Sequence, residues 1–345
     1  MSEPCYVLDE EQTEREKQRY EGYFQHKGFL KHEITELIWM HPVAYLRMIG
    51  WTIYIEKYRL GTWYFGEEQP ASIVEALKNG VKLPTTVFFM GEDGRRYADG
   101  KNRAYWSWKL GVNEIPVIMN KEAIDLAKKE DEKEKKWEDI IQKIINISGD
   151  HKYIYQPVEH PYFDDWEVTQ ICSDRLQTMV EYVGNVSGKR ILDVGCFFGW
   201  FCHKLAKLGA KAVGVELDPK KVEIAKALSA CYGLPPTNPE FISGRYQDFL
   251  EEGNHYDIIL YLSNFHHELR EDIESAWRSI NLISKQTNLM FFDMDEYHTT
   301  ENLRNKGLSW KPELILDHTE FTKLTPLRPS NKHNRILYAF EKGGK

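Results

Sequence analysis

From Lys189 onward, the chain alternates short apolar runs with helical patterns, and this alternation restricts the fold more than any other feature. A short apolar run bounded by polar residues or glycine is typical of a buried strand, whereas apolar residues spaced three and four apart indicate a helix. Strands that alternate with helices form a mostly parallel sheet through right-handed crossovers, with helices on both faces. We therefore predict strands at 190–194, 211–215, 240–243, 256–262 and 289–292, with helices at 200–208, 219–228 and 272–283.

The end of the chain carries one more strand pattern, at 335–340, after the loop 329–332. We predict that this last strand pairs antiparallel at the edge of the sheet. The fold class expected for the second half is therefore α/β, a doubly wound and mostly parallel sheet with an antiparallel edge strand.

The segment 192–199 lies where the first predicted strand gives way to the first helix. Ligands of doubly wound sheets bind at the carboxyl ends of strands, near the switch in strand order. Gly195 and Gly199 allow the backbone to turn tightly and to approach a ligand closely. Glu216, at the tip of the second strand, is placed to hydrogen-bond both hydroxyls of a ribose. An adenine ring is expected beyond the third strand, beside Gln247, Asp248 and Phe249.

Asp193 indicates which nucleotide this site holds. A nicotinamide dinucleotide lays its pyrophosphate over the glycine loop, usually with the spacing Gly-x-Gly-x-x-Gly, which segment 192–199 lacks. A carboxylate at the entrance of the loop repels that anion but attracts the sulfonium and ammonium groups of S-adenosylmethionine. The charge of Asp193 therefore predicts S-adenosylmethionine as the cofactor.

With these motifs, residues 175–285 resemble the class I S-adenosylmethionine-dependent methyltransferases, whose fold is Rossmann-like. Asp193-x-Gly195 resembles their first motif. Glu216 resembles their ribose-binding acid and Asp248 their adenine-proximal acid, and the segment 256–267 resembles their fourth strand and substrate-facing loop. The resemblance implies a methyltransferase whose cofactor is bound by Arg175, Asp193, Gly195, Cys196, Gly199, Glu216, Leu217, Gln247, Asp248, Phe249 and Ser263.

Two positions qualify this resemblance. Phe197 stands where the family often has a glycine, so the methionine end of the pocket is expected to differ. Arg175 lies in the segment before the sheet that closes over the cofactor in many methyltransferases. By that analogy Arg175 binds the carboxylate of the cofactor, and the alternative is a surface salt bridge.

Two adjacent histidines, His266 and His267, follow the fourth strand, where the methyl acceptor is expected. Methyl transfer from an activated sulfonium depends largely on positioning, and a base is needed when the acceptor must lose a proton early. Because histidine accepts protons near neutral pH, we predict both as candidate catalytic residues. The alternative is that one caps the next helix and the other packs. Asp293, Asp295 and Glu296 after the next strand either bind a cationic acceptor or a metal, or form a solvated loop; no metal site is predicted.

The first half of the chain has a different pattern. Over 68–120, a helix, a strand, a turn with a helix and a second strand follow one another, in an order that resembles the ParB and sulfiredoxin-like α+β fold. The turn 99–103 resembles the acidic-Gly-x-x-Arg signature of that family, although sulfiredoxin's catalytic cysteine and the histidine of the kinase-like members are absent. Free amides at the helix end and two positive charges predict a phosphate or nucleotide site, or else a helix-capping turn, at Asp99, Gly100, Lys101, Asn102 and Arg103.

The chain has 345 residues, enough for two domains, and Lys, Glu and Asp dominate the segment 128–136. We predict a ParB/sulfiredoxin-like domain with a helical arm at 1–127, a solvated helical linker at 128–150 and the methyltransferase domain at 151–345. The net charge of -8 disfavours a chain-wide grip on nucleic acid. Five cysteines without a Cys-x-x-Cys pair, no apolar run of bilayer length and no secretory signal pattern favour a cytoplasmic protein.

Three functions fit these observations. The first is a methyltransferase acting on a small molecule or a protein side chain, because the tracts typical of DNA methyltransferases are absent after the fourth strand. In this case the first domain binds the substrate or a nucleotide or phosphate ligand. The second is a bifunctional enzyme whose first domain transfers phosphoryl groups or hydrolyses nucleotides. The third is an RNA- or DNA-associated methyltransferase or a nucleotide-sensing module.

Overall fold

The computed structural model describes residues 5–26, 36–49, 68–91, 94–149, 152–295, 300, 303–304, 309–329 and 335–343. Its backbone divides into two compact units, Met1–Asp139 and Ile140–Lys345. Within the part of the chain that the structure describes, no helix is long and apolar enough to cross a lipid bilayer.

The first unit contains a four-stranded mixed sheet in the order β2-β6-β4-β5. Strand β4 pairs parallel with β6 and antiparallel with β5, and β2 pairs antiparallel with β6. The two central strands read as continuous apolar runs because helices cover them. The described elements are strands β1 (Val7–Leu8), β2 (Glu36–Met40), β3 (Lys82–Leu83), β4 (Thr86–Met90), β5 (Arg96–Asp99) and β6 (Ile115–Met119), and helices α1 (Glu10–His26), α2 (Pro42–Met48), α3 (Glu68–Asn79) and α4 (Lys101–Lys109).

The charged segment predicted as a linker belongs to one long helix, α5 (Lys121–Ser148). The helix begins well before Lys128, and the two compact units divide within it, between Asp139 and Ile140. The prediction that the charged run is solvated is wrong at Glu134, which is 1% exposed. Its carboxylate lies 2.7 Å from the guanidinium of Arg47, and this partner makes the burial of its charge tolerable.

The second unit contains a seven-stranded sheet in the order β11-β10-β9-β12-β13-β15-β14. The first five strands are parallel, as the alternation of strands and helices predicts. Its elements are strands β7 (Tyr153–Ile154), β8 (Glu167–Val168), β9 (Arg190–Val194), β10 (Lys211–Glu216), β11 (Glu240–Ser243), β12 (Ile258–Leu262), β13 (Leu289–Asp293), β14 (Lys323–Pro329) and β15 (Ile336–Glu341), and helices α6 (Cys172–Val183), α7 (Trp200–Lys207), α8 (Pro219–Cys231), α9 (Tyr246–Glu251), α10 (Phe265–Glu271), α11 (Ile273–Gln286) and α12 (Leu314–Asp317).

The last strand, β15, is antiparallel, but its predicted place at the edge is wrong. It lies between β13 and β14 and pairs antiparallel with both, so β14 is the edge strand. Strand β14 contains Pro326 and Pro329, which cannot donate to a ladder hydrogen bond. Prolines are tolerated at an edge, and they also hide the strand from a search for continuous apolar runs.

The strand order reverses between β9 and β12, so their carboxyl ends open a crevice at the switch point. Two apolar clusters cover the faces of the sheet and fix these strands in place. Next to the crevice, Asp218 accepts a hydrogen bond from the amide of Lys220, and Pro219 occupies the first turn of α8. This cap holds the turn after β10 tightly, with Glu216 at its start.

Candidate functional site

A cavity of about 760 Å³ opens at the carboxyl ends of β9, β10 and β12, and every residue that lines it belongs to the second unit. Its volume is in the range of small-molecule sites. Six of the residues predicted for cofactor binding or catalysis line it, namely Gly195, Glu216, Leu217, Gln247, Ser263 and His267.

Glu216 is fixed by the backbone around it. Its Oε2 accepts a hydrogen bond from the amide of Phe197 and its Oε1 one from the amide of Asp218, both at 3.1 Å. Lys221 Nζ lies 3.9 Å from Oε1. Each carboxylate oxygen can accept more than one bond, so both retain capacity for ligand hydroxyls. Glu216 is therefore a rigid, hydrogen-bond-accepting carboxylate on the cavity wall.

The glycine turn is closed by the side chain of Asn264, the residue just before α10. Gly195 has φ +68°, and a Cβ there would lie 2.6 Å from Asn264 Oδ1. Asn264 Nδ2 donates to the carbonyls of Val194 and Leu262, at 2.7 and 2.9 Å. The asparagine thus joins the ends of β9 and β12. Gly199 is equally restricted, because its Cβ would meet the ring of Phe241 at 2.4 Å.

Phe197, at the position where the related family often has a glycine, keeps the glycine-like backbone. Its φ is +55°, which a side chain adopts at a cost of about 1–2 kcal/mol. Ring contacts stabilise it there, with centroids 4.0 Å from Phe198 and 5.1 Å from Tyr155, and with Lys221 Nζ 5.2 Å from its ring centroid. The rings of Phe197 and Tyr155 line the cavity and narrow the space beside the glycine turn.

The side chain of Asp193 lies beneath the cavity and not on its wall. The sequence analysis predicted it at the mouth of the glycine turn. Its side chain is 3% exposed, and Cys202 Sγ lies 3.8 Å from its Oδ2. Burial raises its pKa to about 7, while the charge of Arg175 acts in the opposite direction. Asp193 therefore attracts a cation in the cavity only across the glycine turn, and only when its own carboxyl group is ionised.

Only some of the predicted adenine contacts line the cavity. Leu217, 69% exposed, and Gln247 line the cavity, and Gln247 Nε2 donates to Ser279 Oγ at 3.1 Å. Asp248 is exposed on α9 and does not line it. Phe249 also points elsewhere, because it packs toward Tyr256, with ring centroids 6.2 Å apart. Adjacent residues of a helix diverge in direction, so a three-residue run cannot face one ligand.

Arg175 is buried and not at the surface, which excludes a surface salt bridge. Its NH1 donates to Asp293 Oδ2 at 2.7 Å, and the two side chains are 5% and 1% exposed. Ser263 Oγ donates to the other oxygen of Asp293 at 2.9 Å. Arg335 bonds Asp295 at 2.8 Å and Ser263 Oγ at 3.2 Å. Asp293 and Asp295 are therefore neutralised by arginines and do not form a solvated loop, while Glu296 lies outside the described residues.

Two further predicted groups have different surroundings from those expected. Cys196 is fully buried behind the turn, and burial raises the pKa of its thiol well above the usual range. His267 is exposed and lines the cavity, whereas His266 is 8% exposed and does not line it. The two rings nevertheless lie close together, with centroids 4.1 Å apart, so His267 reaches the cavity and His266 packs behind it.

One face of α10 supplies a cavity wall of which the sequence analysis identified only His267. Asn264, His267, Glu268 and Glu271 all line the cavity. Spacings of three and four residues place them on the same helical face, so a helical reading of 265–271 was the signal that could have identified them. Other lining residues that the prediction of site residues missed are Ile147, Ser148, Tyr153, Tyr155, Val194, Phe197, Val215, Lys221, Gly244, Arg245 and Tyr246.

The turn 99–103 in the first unit is tied to its surroundings. Gly100 has φ +91° and precedes α4. Asp99 accepts hydrogen bonds from the Tyr20 hydroxyl at 2.9 Å and from the Gly100 amide at 2.7 Å. Arg103 NH2 donates to the carbonyl of Thr85 at 2.9 Å, and Arg103 Nε is buried without a partner among the described residues. Lys101 and Asn102 are half-buried at the start of the helix.

Among the described residues, no group of three or more His, Cys, Asp or Glu side chains is arranged to hold a metal ion. The polar side chains that line the cavity include carboxylates, tyrosines, a histidine, a lysine and an arginine.

Comparison with protein families gives a match over residues 191–286 to a model described as a methyltransferase domain. The match begins within β9 and ends with α11, so it contains the glycine turn and most of the cavity wall. This part of the chain is similar to a methyltransferase domain, and S-adenosylmethionine is the cofactor of that family.

Among curated relatives, the O-antigen chain terminator bifunctional methyltransferase/kinase WbdD of Escherichia coli is 30% identical over 151 residues, covering 41% of this chain and 21% of that protein. The ubiquinone biosynthesis O-methyltransferase of Vibrio campbellii is 26% identical over 195 residues, covering 55% and 75%. The chain thus spans about a fifth of the length of the first of these relatives. A solved structure of the bifunctional kinase-methyltransferase WbdD is 21% identical, covers 57% of this chain and 46% of that one, and has a TM-score of 0.49.

Proposed function

We propose that the second unit transfers a methyl group from S-adenosylmethionine to a small molecule or a protein side chain, with the adenosine bound across the ends of β9, β10 and β11. The observation that carries the proposal is Glu216, a carboxylate held by two amides at the tip of β10 with remaining acceptor capacity. A ribose has two adjacent hydroxyls that match such a carboxylate.

We assign the other predicted residues to the rest of the ligand, with Arg175, Asp193, Cys196, Gly199 and Asp248 acting from outside the cavity wall. The exposed apolar side chain of Leu217 offers a surface for the adenine ring, and Gln247 and Asp248 start the helix where its amino group is expected. Asp193, Gly195, Cys196 and Gly199 form or support the turn near the methionine end. In this proposal Ser263 and Arg175 act at the carboxylate end, with Arg175 held in place by Asp293.

Titration calorimetry with S-adenosylhomocysteine tests this proposal. We expect the wild-type protein to bind, and Glu216→Gln to bind at least tenfold more weakly because one acceptor oxygen becomes a donor amide. Glu240→Gln, the same substitution at an exposed site of β11, is the matched control and should leave the affinity unchanged. Equal affinities for all three proteins would refute the assignment of Glu216.

The acceptor is expected to enter beside His267 on the α10 wall. A small-molecule acceptor is supported by the ubiquinone biosynthesis O-methyltransferase relative, whose name identifies an oxygen-methylating enzyme. S-adenosylmethionine supplies an already activated methyl group, so the main task of the protein is to align the acceptor and exclude water. His267 remains a candidate catalytic residue on this wall, while His266 supports α10 from its buried side.

We also propose that the first unit is a ParB/sulfiredoxin-like domain that binds a nucleotide or phosphate ester at residues 99–103. Support comes from the positive φ of Gly100 before α4 and from the unpartnered Nε of Arg103. A phosphoryl-transfer role, which would make the enzyme bifunctional, draws support from the name of the WbdD relative.

A thermal-shift series with ATP, CTP and phosphoserine tests the phosphate site. We expect at least one ligand to raise the melting temperature of the wild-type protein but not of Arg103→Ala. Lys109→Ala, which removes an exposed positive charge from the other end of α4, is the matched control. If no ligand changes the melting temperature, the proposed site is wrong.

A further inference from the structure

A buried hydrogen-bond network ends on the cavity wall at Glu268. Its Oε1 accepts hydrogen bonds from the hydroxyls of Tyr246 and Tyr261, both at 2.8 Å, and the two hydroxyls lie 3.4 Å apart. Tyr246 starts α9, Tyr261 lies in β12 and Glu268 lies in α10, so three elements converge on one carboxylate. Tyr261 is fully buried, whereas Tyr246, which is nearly buried, and Glu268 both line the cavity.

The direction of these hydrogen bonds fixes the role of each group. Burial raises the pKa of both tyrosines, so they remain protonated and donate. Two donors on Oε1 hold the carboxylate in one orientation, and a carboxylate can accept further hydrogen bonds from a ligand. The tyrosines therefore act as positioning residues, and the group presented to the cavity is a hydrogen-bond acceptor.

Glu268 is also suited to receive a proton. Burial raises its pKa above the ordinary glutamate value, and the negative charge of Glu271 acts in the same direction. Hydrogen bonds from Tyr246, Tyr261 and Ser279 act in the opposite direction. A carboxylate whose pKa lies closer to neutral is a better general base than an ordinary exposed one. Other charged groups that line the cavity are Lys221 and Arg245, with Glu216 and His267.

We propose that Glu268 binds the methyl acceptor and takes its proton, and that the acceptor is a hydroxyl or amino group rather than a carboxylate or phosphate. This inference rests on the proposed methyltransferase function. The lone pair of the acceptor forms the bond to the methyl carbon, and the carbon–sulfur bond breaks with its electrons passing to sulfur. The proton of the acceptor passes to the carboxylate of Glu268. An anionic acceptor would meet the carboxylates of Glu268 and Glu271 and would have no proton to give.

Binding of simple probes to the protein loaded with S-adenosylhomocysteine tests this charge preference without an identified acceptor. The probes are benzylamine, phenol and benzoate, which share a ring but differ in charge and hydrogen bonding. We expect wild-type protein to bind benzylamine and phenol more tightly than benzoate. Glu268→Gln should reduce the benzylamine-to-benzoate affinity ratio by about tenfold, which corresponds to about 1.4 kcal/mol. Glu274→Gln, an exposed change on α11, is the matched control and should leave the ratio unchanged.

A pH series separates proton uptake from simple structural support. Removing one donor by Tyr261→Phe should raise the pKa of Glu268, so the benzylamine affinity should weaken at a higher pH than in the wild type as the solution is acidified. An unchanged affinity ratio in Glu268→Gln, or no binding of any probe while S-adenosylhomocysteine still binds, would overturn the role of Glu268. Failure to bind S-adenosylhomocysteine would instead overturn the proposed function, so the two outcomes are distinguishable.

Discussion

At the scale of single residues, the difference between Asp193 and Glu216 shows what a sequence motif conveys. Both acids stand near the carboxyl ends of buried strands, and the motif alone places both at the ligand. In a sheet covered on both faces, however, all positions of a central strand are buried, so the pattern does not tell which acid reaches the crevice. Glu216 reaches it at the last residue of β10, whereas Asp193 lies inside β9.

The burial of Asp193 predicts a conflict between stability and binding. Its folded pKa of about 7 exceeds its ordinary value of 3.8, so the folded protein binds the extra proton between these pH values. The free energy of unfolding should therefore fall as pH rises from about 4 to about 7. Asp193→Asn should lose this dependence and gain roughly 2–4 kcal/mol at pH 8, as judged by urea unfolding.

The same substitution should weaken binding of S-adenosylhomocysteine, whose ammonium is favoured by an ionised Asp193. In the wild type, the affinity should rise as pH increases through about 7. Asp317→Asn, at an exposed residue of α12, is the control for both measurements. A stability gain without any loss of affinity would show that Asp193 serves the fold alone.

The glycine turn gives a second prediction at residue scale. Gly195→Ala and Gly233→Ala introduce a Cβ at nearly the same φ, +68° and +70°, so the backbone strain is similar. At Gly233 nothing lies within 4 Å of the new atom, whereas at Gly195 it meets Asn264. We expect Gly195→Ala to cost at least 1 kcal/mol more in urea unfolding and to abolish S-adenosylhomocysteine binding. Equal costs for the two alanines would mean that Asn264 does not lock the turn.

At the scale of elements, the parallel strands were predictable because each is a short apolar run between helical patterns. Helix α10 was not predicted, because seven residues are too few for a clear helical period. Without that helix, the sequence could not show that His266 is buried while His267 is exposed. It also could not show that Asn264 and Glu268 lie on one helical face. The network of Tyr246, Tyr261 and Glu268 joins three elements and depends on tertiary packing, which no local pattern encodes.

The helical geometry of α10 predicts that replacing its two histidines changes the free energy of unfolding by different amounts. His266→Ala removes a buried side chain and should lower the free energy of unfolding by about 1–3 kcal/mol. His267→Ala should change stability by less than about 0.5 kcal/mol, because this side chain is exposed. Urea unfolding of both variants, with S-adenosylhomocysteine binding as a check of the site, makes the comparison. The reverse ranking would mean that α10 is rotated relative to this description.

At the scale of the whole molecule, the chain joins two units whose predicted ligands differ. Every residue that lines the large cavity lies within Ile140–Lys345. Hydrogen exchange with added S-adenosylhomocysteine should therefore slow in segments 194–198, 215–217 and 244–247. Exchange in β4 and β5 of the first unit should be unchanged. Protection confined to the first unit would place the cofactor elsewhere.

The sequence predicted the two-part organisation because the charged segment 128–136 interrupts the apolar patterns. It did not reveal that Glu134 is buried, because the partner Arg47 lies far away in sequence. Long-range pairs of this kind also decide the site: Arg175 binds Asp293, and Arg335 binds Asp295. Local patterns show where charges lie in the chain, whereas packing determines which of them remain available to a ligand.

The most direct test of the central claim is a binding cycle between Glu216 and the ribose. S-Adenosylhomocysteine and its 2′-deoxy analogue are each titrated into the wild-type protein and Glu216→Gln. If Glu216 binds the ribose hydroxyls, loss of the 2′-hydroxyl should weaken binding to the wild type by about tenfold and should matter little in the variant. Equal losses in both proteins would contradict the account, because they would show that Glu216 does not bind that hydroxyl.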